Sequence, residues 1–142
     1  MRNLNSVSPR PIQDDDKGEA CWDLPATPET VGRARQLVRE TLTIWELSDL
    51  SDDMTAVISE VVTNAVVHAR TSMTLSLHRQ GRSVRAEVAD RSAAWPTPFQ
   101  AGLNMEHGRG LAIVAAYSER WGIDPSPEGK TVWFVCGERQ AR

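Results

Sequence analysis

The sequence predicts an α/β (α+β) two-layer sandwich, with helices on one face of a mixed, mostly antiparallel sheet. Three observations predict it. Two long segments in the first half carry apolar residues at helical spacing. Two pairs of shorter segments alternate apolar and polar residues around turn-forming Gly and Pro positions. Between those pairs lie a long irregular stretch and a third helical segment. Helices that must bury one stripe and strands that must bury one face are satisfied together when helices layer on a sheet.

Residues 1–19 are rich in Asn, Ser, Pro, Gln and the acidic run Asp14-Asp15-Asp16, with almost no large apolar groups. Such a segment cannot bury enough surface to offset its ordering entropy, so it reads as a disordered tail ahead of a domain over 20–138. Cys21-Trp22-Asp23-Leu24 reads as a short edge strand stopped by Pro25. Thr27-Pro28-Glu29 has the composition of a helix start, with Thr27 as N-cap and Pro28 at the first helical position. Val31, Ala34, Leu37, Val38, Thr41, Leu42 and Trp45 then repeat at helical spacing. A second start at Ser51-Asp52-Asp53, with Ser51 as the cap, opens the clearest helix of the chain. Its stripe runs from Met54 through Val57, Ile58, Val61, Val62 and Ala65 to Ala69.

Met73, Leu75 and Leu77 alternate with polar residues, as do Val84, Ala86 and Val88, and Gln80-Gly81-Arg82 between them reads as a hairpin turn. Residues 93–107 read as a long loop of the kind that serves as a lid or binding loop. Gly108-Arg109-Gly110 launches a helix through Leu111 and Val114. Strands near 120–123 and 131–136, joined by a turn over 124–129, complete the domain.

Composition narrows the function classes. The chain has 142 residues, 40% hydrophobic and 25% charged, with a net charge of −3. That is the profile of a single globular domain without the basic footprint of a nucleic-acid binder. No apolar run approaches the roughly 18–20 residues of a membrane span, and the N-terminus lacks the apolar core of a signal peptide. Cys21 and Cys136 are too few for a disulfide framework and lack metal-ligand spacing, so each reads as a small buried or half-buried residue in a reducing, cytoplasmic compartment.

Four local features carry chemistry. Glu60, Asn64 and His68 lie four residues apart, a polar stripe beside the apolar face of the second helix. An amide oxygen there can ligate a hard cation such as Mg²⁺, and a carboxylate one turn away can orient or deprotonate a nucleophile. The same three residue types are also common on solvated helix faces. Asp90 closes an alternating strand, where a carboxylate can accept the exocyclic amino group of adenine; an Asp in that place can equally just begin a loop. Gly108-Arg109-Gly110-Leu111 precedes a helix whose first N–H groups can meet phosphate oxygens. It matches neither the Walker A pattern nor the full dinucleotide fingerprint. Thr131, after Gly129-Lys130, can place a hydroxyl near a purine, and is also an ordinary way to begin a strand.

Taken in order, Glu60-x-x-x-Asn64-Ala65-x-x-His68, Asp90-x-Ser92, Gly108-x-Gly110-Leu111 and Gly129-Lys130-Thr131-Val132 resemble the sequential boxes of the Bergerat-type (GHKL) ATP-binding superfamily. Within it, the short chain and the phrasing Glu60-Val-Val-Thr-Asn64-Ala-Val-Val-His68 resemble most the anti-sigma regulatory factors that act as serine/threonine protein kinases. The resemblance runs from about Cys21 to Val135. It implies a Bergerat fold with ATP between helices and sheet, Asn64 as Mg²⁺ ligand, Glu60 as general base and Asp90 on the adenine amino group. It further implies Gly108 and Gly110 at the phosphate edge of a lid, Thr131 at the purine, and His68, Ser92 and Leu111 within the cofactor-binding boxes. Arg109 stands where a side chain can reach the phosphates.

The partners the resemblance implies are a sigma factor and an anti-anti-sigma antagonist of the STAS type, which the kinase phosphorylates on Ser or Thr. It implies no direct contact with nucleic acid or membrane, and is compatible with a homodimer. One departure stands out: the second box usually reads Asp-x-Gly and here is Asp90-Arg91-Ser92. That leaves open a second reading, a regulatory module that binds partners, with or without nucleotide, and transfers no phosphate. The catalytic half of a sensor histidine kinase fits less well, since the chain has no room for a long dimerisation helix pair.

Overall fold

The computed structural model describes residues 17–92 and 112–137. The first strand, β1, spans Lys17–Leu24, four residues longer at its start than the expected Cys21–Leu24, and so takes in the last residues assigned to the tail. The extension follows from its neighbour. All eight of its residues find register partners on the next strand, from Lys17 opposite Gln80 to Leu24 opposite Met73, so backbone pairing outweighs the weak apolar content of Lys17-Gly18-Glu19.

Helix α1 covers Glu29–Ile44 and α2 covers Ser51–Asn64. Both begin differently from the sequence expectation. Pro28, not Thr27, is the N-cap of α1, and Thr27 contributes its carbonyl, which accepts the Thr30 N–H at 3.0 Å. A 3₁₀ turn, Ser48–Leu50, runs directly into α2, so Ser51 is the first residue of the helix and is buried, and no side chain caps either start. Continuous helical backbone from the 3₁₀ turn already supplies acceptors that a cap would otherwise replace. Beyond Asn64 the helix continues as a π-helical turn, Ala65–Ala69, closed by Arg70 in the left-handed region at φ 59°.

Strands β2 (Met73–Gln80) and β3 (Ser83–Asp90) form the expected hairpin around Gly81, whose φ of 63° suits a residue without a Cβ. A short helix, α3, occupies 112–117, and β4 (Arg120–Pro125) and β5 (Lys130–Cys136) complete the domain. The five strands lie in the order β1-β2-β3-β5-β4, and all four ladders are antiparallel.

Alternation sorts each strand's residues onto two faces. The inward set includes Trp22, Leu75, Leu77, Val84, Ala86, Val88, Val132 and Phe134, all buried. Against it pack Leu37, Val38, Leu42 and Trp45 of α1 and its C-terminus, with Met54, Val57, Ile58 and Val61 of α2. Each large side chain so buried contributes about 1.5–3 kcal/mol relative to exposure. The outward face carries Glu19, His78, Arg85 and Glu87, with the Arg85 guanidinium 4.4 Å from the Trp133 ring centre. Two arginines of α1 turn toward α2: Arg35 donates to Ser59 at 3.2 Å and Arg39 pairs with Asp52 at 3.4 Å. No helix among the described residues is long and apolar enough to cross a membrane.

Candidate functional site

Glu60 and Asn64 lie one turn apart on α2, at the margin of its buried stripe, and both are half-buried. Neither side chain has a hydrogen-bond or ion-pair partner among the described residues. A carboxylate and an amide at the rim of an apolar stripe keep their acceptor oxygens accessible. Their backbone is set by Val57, Ile58, Val61 and Val62, which are locked into the core on the adjoining face.

His68 does not continue this stripe. It falls in the π turn, whose ring is one residue wider than that of an α-helix, and it is exposed where Glu60 and Asn64 are half-buried. The wider turn advances less per residue, so the four-residue step from Asn64 reaches a different angle. The π turn also delivers the chain, through Arg70–Ser72, to the start of β2 at Met73. The C-terminal end of α2 and one end of the sheet are thereby brought together.

Asp90 lies at that same end. Leu24, Met73, Asp90, Lys130 and Pro125 form one cross-strand row over all five strands. Asp90 is in phase with Val84, Ala86 and Val88 and faces inward, and so does Lys130, in phase with Val132 and Phe134. The two side chains are 3% and 5% exposed, and the Lys130 ammonium sits 2.8 Å and 2.9 Å from the two Asp90 oxygens. The Ser92 N–H donates to Asp90 Oδ1 at 2.9 Å, so the Asp-x-Ser sequence closes back on its own carboxylate. Close approach is required here: a Cβ on Gly129 would strike the Asp90 carbonyl oxygen and come within 2.8 Å of the Arg91 Cα.

Thr131 is placed otherwise than the sequence implied. It pairs with Ala89 and shares the outward phase of Trp133, so its hydroxyl lies on the face of the sheet opposite Asp90. Strand alternation makes this unavoidable once Lys130 faces in. Lys130 is the residue that sequence reasoning missed. Its signal was its phase with Val132, Phe134 and Cys136, legible only once β3 is known to pair with β5. Gly108, Arg109, Gly110 and Leu111 lie outside the described residues.

Cys136 is buried at the far end of β5, and burial, with lesser contributions from the charges of Asp53 and Glu119, pushes its thiol up to about 12. Cys21 is exposed on β1 rather than buried, because edge position and outward phase leave it facing solvent. Both are free thiols. Among the described residues no group of three or more His, Cys, Asp or Glu side chains is arranged to hold a metal ion.

Residues 24–136 match the sequence profile of the histidine kinase-like ATPase domain. No curated protein sequence matches the chain. Among solved structures, the RsbU and RsbW domains of Rv1364c from Mycobacterium tuberculosis superpose with a TM-score of 0.65 at 25% identity, over 84% of this chain and 32% of that one. The histidine kinase domain of the Erythrobacter litoralis EL346 blue-light activated histidine kinase superposes with a TM-score of 0.50 at 17% identity, over 79% of this chain and 61% of that one. This chain thus spans about a third of the mycobacterial protein it matches.

Proposed function

The chain belongs to the histidine kinase-like ATPase family, and from that footing we propose that it is a cytoplasmic regulator that binds ATP with Mg²⁺ and phosphorylates a Ser or Thr of a partner protein. The observation that carries the reading is the half-buried Glu60–Asn64 pair, which has no partners of its own among the described residues. An amide oxygen and a carboxylate are the donor types a hard cation and a nucleophile's proton require, so the residues fit the group.

Asn64 holds the cation through its side-chain oxygen. Glu60 accepts the proton of the attacking hydroxyl as phosphate is transferred. Asp90 faces the base, and Gly108, Arg109, Gly110 and Leu111 serve the phosphates, by resemblance to the family's third box. Mg²⁺, when bound, supplies neutralisation of charge on the transferring phosphoryl group. Similarity to a structure containing an RsbW domain supports an anti-sigma role, with a sigma factor and a STAS-type antagonist as partners.

A second reading has its own observation. The Asp90 carboxylate already holds the Lys130 ammonium and the Ser92 N–H, which favours a module that recognises partners without turning over nucleotide. Calorimetric titration with a non-hydrolysable ATP analogue, with and without Mg²⁺, tests the nucleotide site on which the kinase reading depends, and transfer of the γ-phosphate to a partner protein separates a kinase from a module that only binds nucleotide. Saturable, metal-dependent binding that is lost in a folded Asn64→Ala variant supports the kinase reading. Absence of binding at millimolar nucleotide sinks it and selects the partner-binding module.

A further inference from the structure

We propose that the outer face of the sheet carries a second binding site, one that takes the dianionic phosphate of a small phosphate monoester. The site is a cleft of about 300 Å³ beside the β2–β3 turn. It lies on the sheet face turned away from the helices and at the end remote from Asp90, and it shares no residue with the Glu60–Asn64 pair.

Strand register builds the cleft. Glu19, His78, Arg85, Val135 and Arg120 form one cross-strand row over all five strands, in the outward phase. The next row toward the turn sets Gln80 opposite Ser83. Val135 is buried, and it makes an apolar floor with Arg85 on one side and Arg120 on the other. Direct cross-strand partners stand about 5 Å apart at Cβ, so the two arginines rise about 10 Å from each other. Planar guanidinium groups on long stems can close on one oxyanion from both sides.

Charge selects the ligand. Arg79, Arg85 and Arg120 all line the cleft, and no Asp or Glu is among the described residues that do. Nearby carboxylates offset these charges only in part. Glu87 accepts from Arg85 Nε at 2.7 Å, and His78 stands 3.7 Å from Glu19 and 3.8 Å from Glu87. Arg79 donates through Nε to the Gly81 carbonyl at 2.9 Å. The terminal nitrogens of Arg79 and Arg85 have no hydrogen-bond or ion-pair partner among the described residues. Arg120, which has a contact of its own, adds its charge from β4. The Arg85 guanidinium is held over the Trp133 ring at 4.4 Å, which steadies the direction of its donors. Three cations with one carboxylate bonded to them leave an excess that a dianion balances and a monoanion does not. A cleft of this volume stands at the small end of ligand sites, so the phosphate arrives on a small molecule.

The test is calorimetric titration of the full chain, without nucleotide, with phenyl phosphate and phenyl sulfate at pH 8. A phosphate monoester has lost its second proton there, its pKa being about 6, whereas the sulfate ester of similar shape keeps a single charge. We expect saturable binding of phenyl phosphate, tighter than phenyl sulfate by about 10-fold or more. In heteronuclear NMR spectra the amides of Ser83, Arg85 and Val135 should move with the probe, and those of Glu60 and Asn64 should stay. No saturable binding at millimolar phenyl phosphate, equal affinity for the two esters, or shifts confined to Glu60 and Asn64 overturns the proposal.

Arg85→Gln and Arg120→Gln should each weaken phenyl phosphate binding by about 10-fold or more. Arg82→Gln is the control, since that guanidinium pairs with Asp49 at 3.2 Å and lines no part of the cleft, and it should bind as the wild type does. Unchanged affinity in both folded cleft variants, or an equal loss in Arg82→Gln, overturns the assignment. The wild-type preference between the two esters stands as a test whether or not a variant folds.

Discussion

Replacing Lys130 with methionine removes one half of a buried ion pair and leaves the Asp90 carboxylate without its counter-charge. At 2.8 Å, two unit charges in a medium of effective dielectric about 20 attract by about 6 kcal/mol. Desolvation of the two ions costs several kcal/mol each, so the intact pair is close to neutral for stability. Its halves are not. Side chains 3% and 5% exposed have almost no water to turn to, and removing one partner from such a pair typically costs about 3–5 kcal/mol.

The Asp90→Leu change should cost a similar amount by stranding the ammonium, plus about 1 kcal/mol for the Ser92 N–H that loses its acceptor. The double variant Asp90→Leu/Lys130→Met strands neither charge and should recover to within about 1–2 kcal/mol of the wild type. Urea unfolding followed by far-ultraviolet circular dichroism on all four proteins closes the cycle, provided the slopes agree. The expected coupling is far above the roughly 0.3–0.5 kcal/mol scatter of independent sites. A single variant that costs under about 1 kcal/mol, or a double variant equal to the sum of the singles, would refute the account of a dry, mutually dependent pair.

Glu60→Gln should bind an ATP analogue nearly as well as the wild type but slow phosphate transfer at least ~10²-fold, the scale of losing a general base; full turnover would remove Glu60 from the step. With Cys136 at about 12 and buried and Cys21 exposed, a thiol reagent at pH 8 should label Cys21 in the native protein and reach Cys136 only after denaturation. Because the folded thiol of Cys136 keeps its proton up to about 12, against 9.0 when unperturbed, its contribution to stability is whole below pH 9 and is lost as pH rises through that window. A melting temperature flat from pH 9 upward would contradict this. Gly129→Ala should destabilise by about 1–3 kcal/mol through the clash with the Asp90–Arg91 backbone, readable as a lower urea midpoint.

Much of the fold was legible because it rests on local periodicity. The stripes of α1 and α2 and the alternation of β2 and β3 each follow from burying one side of a regular element, and the Gly81 turn joins two strands that are adjacent in sequence. Glu60 and Asn64 were legible for the same reason: a four-residue step within an α-helix fixes a shared face. The start of β1 was not, because Lys17-Gly18-Glu19 carries no apolar signal and is held by the backbone of a strand more than fifty positions away. Both helix starts differed by a residue or so from their capping signals, since the preceding backbone already satisfied the orphan groups.

What the sequence determined by itself is the layered architecture, the family's ordered boxes and the helix face on which Glu60 and Asn64 stand. The tertiary structure decided where the described residues of the first, second and fourth boxes stand. A π turn carries His68 off the stripe, a register between strands 40 residues apart sets Lys130 against Asp90, and the same register turns Thr131 to the other face. The physical reason is the range of the forces. Helix and strand patterns record each residue's neighbours along the chain. Which charge faces which across a sheet depends on non-local pairing, and shifting it by one residue exchanges every inward side chain for an outward one.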